Sequence, residues 1–312
     1  MSITHLLNRF TMATFSDYRI LKDKIAKNAM LFITLATVLL VVFIGVGLLV
    51  KSLPILKEHS LWQLLSGSDW KPLQGSFGFL PFIAGTLAVT LLSILWTFPV
   101  ALLTGIYLSE DAKPRTKRFI YPVLDILAGI PPVVYGVWGV LVIVPFISDH
   151  LATHFVEYST GYCVLAGGLV LGVMILPLLI SMFVELFSSV PKEFREASLA
   201  LGATHWQTSK LVVVRKTLPG IVAATVLSIS RAFGETMAVI MVCGNVPGMP
   251  TSFFEGCYPL PALIANNYGE MLSVPLYDSA LMFAALILFV IILLFNAGSR
   301  IVLNRIERKY QL

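Results

Sequence analysis

Charge is scarce in this chain. Only 12% of its 312 residues are Asp, Glu, Lys or Arg, about half of what a soluble domain of this length carries. That excludes a string of soluble domains. No G-x-x-x-x-G-K-S/T string occurs, so the chain supplies no phosphate cradle for ATP. His-Glu-x-x-His and Gly-x-Ser-x-Gly are also absent, which removes two familiar hydrolase constellations. Cysteines number three, an odd count that rules out a fully paired disulfide framework within one chain. There is no low-complexity tract and no internal repeat visible by eye.

What fills the chain is apolar: 57% of residues, with a mean hydropathy of +0.86. Six runs reach the roughly 20 residues needed to cross a hydrocarbon core: Ala29–Val50, Leu80–Leu108, Tyr121–Ile147, Tyr162–Phe187, Leu218–Val242 and Leu281–Ile301. Backbone groups in lipid find no water, so each must be helical. The basic residues orient them. Arg9, Arg19, Lys22, Lys24 and Lys27 precede the first run. Lys113, Arg115, Lys117 and Arg118 lie between the second and third, and Lys192, Arg195, Lys210, Arg215 and Lys216 between the fourth and fifth. Arg300, Arg305, Arg308 and Lys309 end the chain. The other side has Lys51, Lys57 and Lys71 only. The excess places both termini in the cytoplasm and accounts for the net charge of +5 without nucleic acid. The expected organisation is an all-α membrane protein: a cytoplasmic segment 1–28, then a transmembrane domain 29–312 with a cytoplasmic loop 188–217. The first run is too long for a signal-peptide core and reads as a retained anchor. Two outer segments, Lys51–Phe79 and Gly244–Pro275, are expected, the second as a packed or re-entrant loop.

Prolines interrupt the runs: Pro99, Pro131-Pro132 and Pro177. Each frees a backbone carbonyl, for helix packing or for a cavity wall. Gly168 and Gly172 have the small-xxx-small spacing of close helix approach.

Arg231 and Glu235 stand inside the fifth apolar run. A charge at bilayer depth costs about 2.5–3.5 kcal/mol on insertion scales, so it needs a partner or a task. Their spacing of four puts them on one face if the helix is continuous. Two readings stand: a buried ion pair, or an anion contact in which the planar guanidinium fork of Arg231 matches a phosphate edge. In the second, Glu235 neutralises the empty site and accepts a bond from a protonated oxyanion. Ser228, Ser230 and Thr236 can add hydroxyls, though such residues in membrane helices usually bond their own backbone. Tyr135, after the Pro131-Pro132 break, either lines the cavity or packs. Asp125 either pairs with a basic residue such as Arg118 or serves the path, and Glu185 ends the fourth run. His150 and His154 are four apart in an outer loop, a spacing that fits a metal but more simply a short solvated helix. Cys243 and Cys257 flank an outer loop where a disulfide is conceivable; Cys163 reads as a small buried hydrophobe.

The loop after the fourth run carries a second pattern. Pro191 suits a helix start, Glu193 and Glu196 its positive end, and Gly202 its stop. Thr204 with Gln207 makes a capping box for another helix. Ala197, Ala200 and Ala203 form a small-residue surface open to close approach, either by another body or by the membrane.

Glu196-Ala197-Ser198 followed by Gly202 resembles the EAA loop of ABC importer permeases, although Val214-Arg215 stands where that family has Leu-Pro. Phe79-Leu80-Pro81-Phe82, Tyr107-Leu108-Ser109-Glu110, Gly129-Ile130-Pro131-Pro132 through Gly136, and Arg231-Ala232-Phe233-Gly234-Glu235-Thr236-Met237-Ala238 are similar to the phosphate-specific permeases, PstC-type. The resemblance implies a type I ABC importer permease fold. It implies a coupling helix at Glu193, Glu196, Ala197, Ala200 and Gly202 that docks on a cytosolic ATPase dimer (PstB-type). It also implies that the Arg231 and Glu235 pair matters for transport; with the residue readings above, the expected substrate path is Arg231, Glu235, Tyr135 and Ser228. The further partners would be a second permease (PstA-type) and an extracytoplasmic phosphate-binding protein (PstS-type), with ATP used by the partner subunits and no cofactor held here. Alternatives are a permease for another oxyanion and an ion-coupled secondary transporter; the latter has no need of a helix-turn-helix in a cytoplasmic loop.

Overall fold

The computed structural model of the chain describes residues 3–270, 274 and 276–310, with side chains for 22–270, 274 and 276–306. Pro275 lies outside the described residues, as do the side chains of Arg9, Arg19, Arg308 and Lys309. The chain divides into two units, Met1–Lys51 and Ser52–Leu312. The first is helical throughout its described length, as part of α1 (Ile3–Glu58). From Met30 to Val50 α1 is apolar on every side, the pattern of a helix whose surroundings are not water.

In the second unit α1 ends and is followed by α2 (Leu61–Ser66), whose Ser60 and Gln63 form a reciprocal capping box. A two-residue hairpin comes next, β1 (Trp70–Lys71) antiparallel to β2 (Ser76–Phe77), closed by the left-handed Gly75. Then come α3 (Leu80–Ile106), α4 (Pro114–Gly129), α5 (Pro132–Trp138), α6 (Val144–Phe146), α7 (Val164–Ser188), α8 (Lys192–Ala200), α9 (His205–Thr208), α10 (Val214–Phe233), α11 (Met237–Val242), α12 (Leu260–Asn267) and α13 (Tyr277–Tyr310). Wide π turns at Tyr107–Asp111, Gly139–Ile143, Ile147–Leu151 and Ser209–Val213 continue α3, join α5 to α6, continue α6 and join α9 to α10.

Six helical stretches are long and apolar enough to cross a membrane: Lys22–Glu58, Leu80–Asp111, Pro132–His154, Val164–Ser188, His205–Phe233 and Tyr277–Ile306. The third and fifth depart furthest from the sequence expectation. The third begins at Pro132, not Tyr121. Ile130 and Pro131 each precede a proline, which disfavours the helical region. Both are extended (ψ 129° and 140°), so α4 ends and α5 starts afresh with Pro132 at its first turn. The fifth starts thirteen residues earlier than expected and stops at Phe233. Residues 205–217 of the expected loop are therefore helical and continuous with the span.

Three apolar clusters hold the unit together. At one end Trp70 meets Phe77, Phe79 and Phe82 edge-on, with ring centroids 5.6, 5.3 and 5.0 Å apart. This cluster ties the hairpin to α3, α12 and α13. A central cluster packs α7 with α3, α5 and α11. A third, around Leu179, Phe183 and Phe187, closes the end from which α8 emerges. The closest seam is α3 against α7. Gly172 faces the Trp96 ring, where a Cβ would stand 2.4 Å from the nearest ring atom. One turn earlier the Trp96 indole N–H donates to Gly168 O at 3.2 Å. The expected packed segment is present as well: Leu260, Pro261, Ala262 and Leu263 of α12 are buried.

Candidate functional site: a broken fifth span and an exposed helix

The break in the fifth span forms the first site. Gly234, a poor helix former, caps α10, and its N–H returns to Arg231 O. Helix resumes at Met237. Arg231 and Glu235 therefore do not share a face of one continuous helix, and among the described residues no ion pair joins them. Each instead sits at the helix end that suits its charge. Arg231 occupies the last turn of α10, the negative end of that helix dipole. Glu235 precedes α11, and its Oε1 accepts from Ala238 N–H at 3.2 Å, at the positive end. Arg231 is exposed in this chain and Glu235 half-buried. Beside Glu235 lies a cavity of about 10 Å³, walled by Thr86, Thr90, Ala232 and Val239, roughly the volume of one water probe.

The other path residues are enclosed. Ser228 is fully buried and donates to Ala224 O at 3.0 Å. It satisfies its own helix rather than facing an open path. Tyr135 is 5% exposed, and its hydroxyl donates to Leu127 O at 2.7 Å. That bond reaches across the Pro131-Pro132 break to a carbonyl whose i+4 residue, Pro131, has no N–H to give; the Ile130 N–H also donates to it at 3.3 Å. Tyr135 is thus a staple between α4 and α5. Ser230 donates to Asn296 Oδ1 at 2.9 Å, linking α10 to α13. Thr236 turns back onto Gly234 O at 3.3 Å.

The second site is α8. Glu193, Glu196, Ala197, Ala200 and Gly202 are all exposed, and no side chain of this helix is buried. Gly202 has φ +83° with nothing within 4 Å of a Cβ built there, so its need is conformational and not spatial. Thr204 caps α9 with Gln207 returning the bond. Apolar side chains surround the turn: Leu201 is 90% exposed and Trp206 55%.

Sequence reasoning missed what anchors α8. Arg195 Nε and Nη2 each donate to one oxygen of Glu110, both at 2.7 Å, and Nη2 also reaches Phe187 O at 2.8 Å. The partners are 85 residues apart, so no local pattern could have paired them. The carboxylate in turn raises the affinity of the Arg195 guanidinium for its proton. Lys216 lies over the Phe194 ring, 3.2 Å from its centroid.

Of the other expectations, the Asp125–Arg118 pair is corrected, while the exposed short helix at His150–His154, Glu185 at the end of the fourth span and the buried Cys163 hold. Asp125 is exposed and makes no ion pair with Arg118; seven residues, about 10 Å of helix, separate them. Glu185 is exposed on the last turn of α7. His154 Nδ1 is engaged with His150 O at 2.8 Å, and the His150 ring stacks on Phe146. No cluster of three metal-binding side chains occurs among the described residues. Cys163, Cys243 and Cys257 are free and buried in the central cluster.

Residues 101–311 match the family model described as binding-protein-dependent transport system inner membrane component. A probable ABC transporter permease, YqgH of Bacillus subtilis (strain 168), is 39% identical over 83% of this chain and 82% of its own. The phosphate transport system permease protein PstC of Pasteurella multocida (strain Pm70) is 33% identical over 80% of each. The PstC of Haemophilus influenzae (strain ATCC 51907 / DSM 11121 / KW20 / Rd) is 32% identical over 88% of this chain and 92% of its own. Among solved structures, a bacterial alginate ABC transporter superposes with a TM-score of 0.60 at 16% identity, over 92% of this chain and 96% of that one. The inward-facing MetNI methionine transporter does so at 0.54 and 20%, over 79% and 97%. The fold is that of the type I ABC importer permeases, and the chain belongs to the family of binding-protein-dependent transport system inner membrane components, as a multi-pass permease subunit.

Proposed function

We propose that this chain is a permease subunit of an ATP-driven phosphate importer. Its basic loops and both termini face the cytoplasm. It works with a second, PstA-type permease, a PstB-type ATPase dimer that uses the ATP, and a PstS-type phosphate-binding protein outside. The chain itself performs no ATP chemistry and holds no cofactor.

The observation that carries the reading is the exposed Arg231 at the end of α10. A permanently charged guanidinium left open in an apolar run calls for water, an anion or protein beside it, because lipid contact is costly. Its fork fits two oxygens of a tetrahedral oxyanion. Glu235, set off by the break, leaves that fork free. Among the described residues no hydrogen bond reaches its Oε2, which can accept a bond from a phosphate that still carries a proton. Sulfate has none to offer. The names of the PstC relatives support the same substrate. At the other end, exposed α8 with its small-residue face suits an ATPase groove.

The test is co-purification in detergent followed by reconstitution. Capture of a second permease and an ATPase with this chain, and ATP-dependent phosphate uptake into liposomes that contain the binding protein, are the expected results. A complex that binds ATPase but moves another oxyanion in preference to phosphate would reject the substrate. A chain that transports without any ATPase would reject the class.

A further inference from the structure

A helix with no buried side chain must be held by polar contacts. For α8 these contacts are unequal. Toward α3 and α7 there is one dense node. Arg195 places its fork on both oxygens of Glu110, with side chains only 19% and 10% exposed. The same guanidinium donates to Phe187 O in the last turn of α7 and to Val190 O just beyond it. Glu110 belongs to the π turn that ends the second span, and the Ser109 hydroxyl donates to its Oε1 at 2.8 Å. Lys117 Nζ donates to Ser109 O at 3.1 Å, which ties α4 to the same node. Toward the fifth span α8 packs against α9 and the π turn that follows it, but the polar links are lighter. One is a hydroxyl pair, Ser198 with Thr208 at 2.9 Å; the other is the Lys216 ammonium over Phe194. The chain between passes through the unpacked, left-handed Gly202.

Sheltered, bidentate, charge-assisted bonds resist displacement more than a single neutral hydroxyl pair does. We propose that Arg195 and Glu110 form a positioning clamp that makes α8 and the ends of the second and fourth spans one rigid body, with the flexible joint falling between α8 and the fifth span. A pull on α8 then moves α3 and α7 together, and they swing relative to α10, the helix that carries Arg231. This rests on the reading of α8 as the helix that an ATPase moves.

Spin labels test it in the assembled, reconstituted complex. Labels at Lys192 and Asp111, both exposed, report across the clamp. Labels at Lys192 and Lys210 report across the joint. With ATP added, the first distance should keep one narrow distribution while the second shifts. Glu110→Gln keeps volume and one acceptor, and Arg195→Lys keeps charge without the fork. Each should broaden the first distribution and cut phosphate moved per ATP hydrolysed by about tenfold, the effect of one lost charge-assisted bond. A shift of the Lys192–Asp111 distance on ATP addition in the wild type overturns the clamp. So does an unchanged distribution and transport-to-hydrolysis ratio in both variants. If no ATPase joins the wild-type chain, the functional reading fails by itself. The width of the Lys192–Asp111 distribution, narrow in wild type and broad in Glu110→Gln, still decides the clamp.

Discussion

Trp96 occupies the space that Gly172 leaves empty. The indole of α3 lies where a Cβ on α7 would be, 2.4 Å from Cε2 and Cζ2, and its N–H is spent on Gly168 O. Neither ring nor backbone can retreat without giving up that bond. Gly172→Ala should therefore destabilise the bundle by roughly 1–3 kcal/mol, the usual cost of overpacking. The measurement is the apparent melting temperature in detergent, with tryptophan fluorescence reporting the ring. Gly172→Ala combined with Trp96→Leu should recover part of the loss, because the clash goes while a smaller cavity remains. A single variant that melts like wild type would show that the two spans are not held this close.

Arg231→Ala should lower phosphate uptake by about tenfold or more, the scale of a lost charge-assisted contact, while the complex still assembles. Arg231→Lys keeps the charge but not the fork and should fall between. Uptake of labelled phosphate, with subunit content checked on the same liposomes, measures both. If Lys restores wild-type uptake, the geometry of the fork is irrelevant and only the charge matters.

At Gly202 the side chain has room but the backbone does not suit it. A β-branched residue at φ +83° is strained by about 1–2 kcal/mol, whereas Asn visits this region readily. Gly202→Val should weaken ATPase retention or phosphate-stimulated hydrolysis, and Gly202→Asn should leave both near normal. Equal behaviour of the two variants would mean that the turn does not set the position of α8.

The contrast between these sites shows what sequence makes legible. Six spans could be read because apolar runs are a direct record of the solvent around a helix. The break at Ile130 and Pro131 was written in the sequence too, since each precedes a proline; yet the apolar run from Tyr121 carried the third span too far back. The break at Gly234–Thr236 has no proline, and its apolar flanks run on to Val242, so Arg231 and Glu235 read as one helical face. The Arg195–Glu110 bond joins positions 85 residues apart and exists only once α3 and α7 are packed. The α8 turn was legible because capping box, glycine and the first-turn carboxylate Glu193 are local signals.

The loop before α12 offers a pH test. Phe253 O and Glu255 O accept the N–H groups of Leu165 and Val164, the first turn of α7. Glu255 is held in that loop by the Thr251 backbone N–H at 2.8 Å and the Thr251 hydroxyl at 2.9 Å. These bonds hold its carboxyl below the ordinary range. A depressed folded-state pKa means that the stabilisation is complete above the ordinary carboxylate value of about 4.3 and disappears as pH falls through the lower folded value. Glu255 is exposed, so water screens the effect and it should be small. Hydrogen exchange of the Val164 and Leu165 amides, corrected for intrinsic rates, should lose protection on acidification in wild type. In Glu255→Gln it should be lower at neutral pH and insensitive to this step. Identical pH profiles would exclude the carboxylate as the latch.

The sharpest test of the broken span is a charge exchange. Had Arg231 and Glu235 been an ion pair on one helix, Arg231→Glu with Glu235→Arg would preserve it and should restore what either single change destroys. The structure predicts the opposite. The exchange puts a carboxylate at the negative end of α10 and a guanidinium at the positive end of α11. Each mismatch costs about 0.3–1 kcal/mol, up to ~2 where partly buried. A guanidinium is also donor-only, so the Ala238 N–H now bound by Glu235 would lose its acceptor. The double variant should melt below either single variant and transport no phosphate. Glu235→Gln, which keeps an acceptor for Ala238, should melt close to wild type. Recovery of uptake and stability in the double variant would instead establish a direct pair and refute the assignment of each charge to its own helix end.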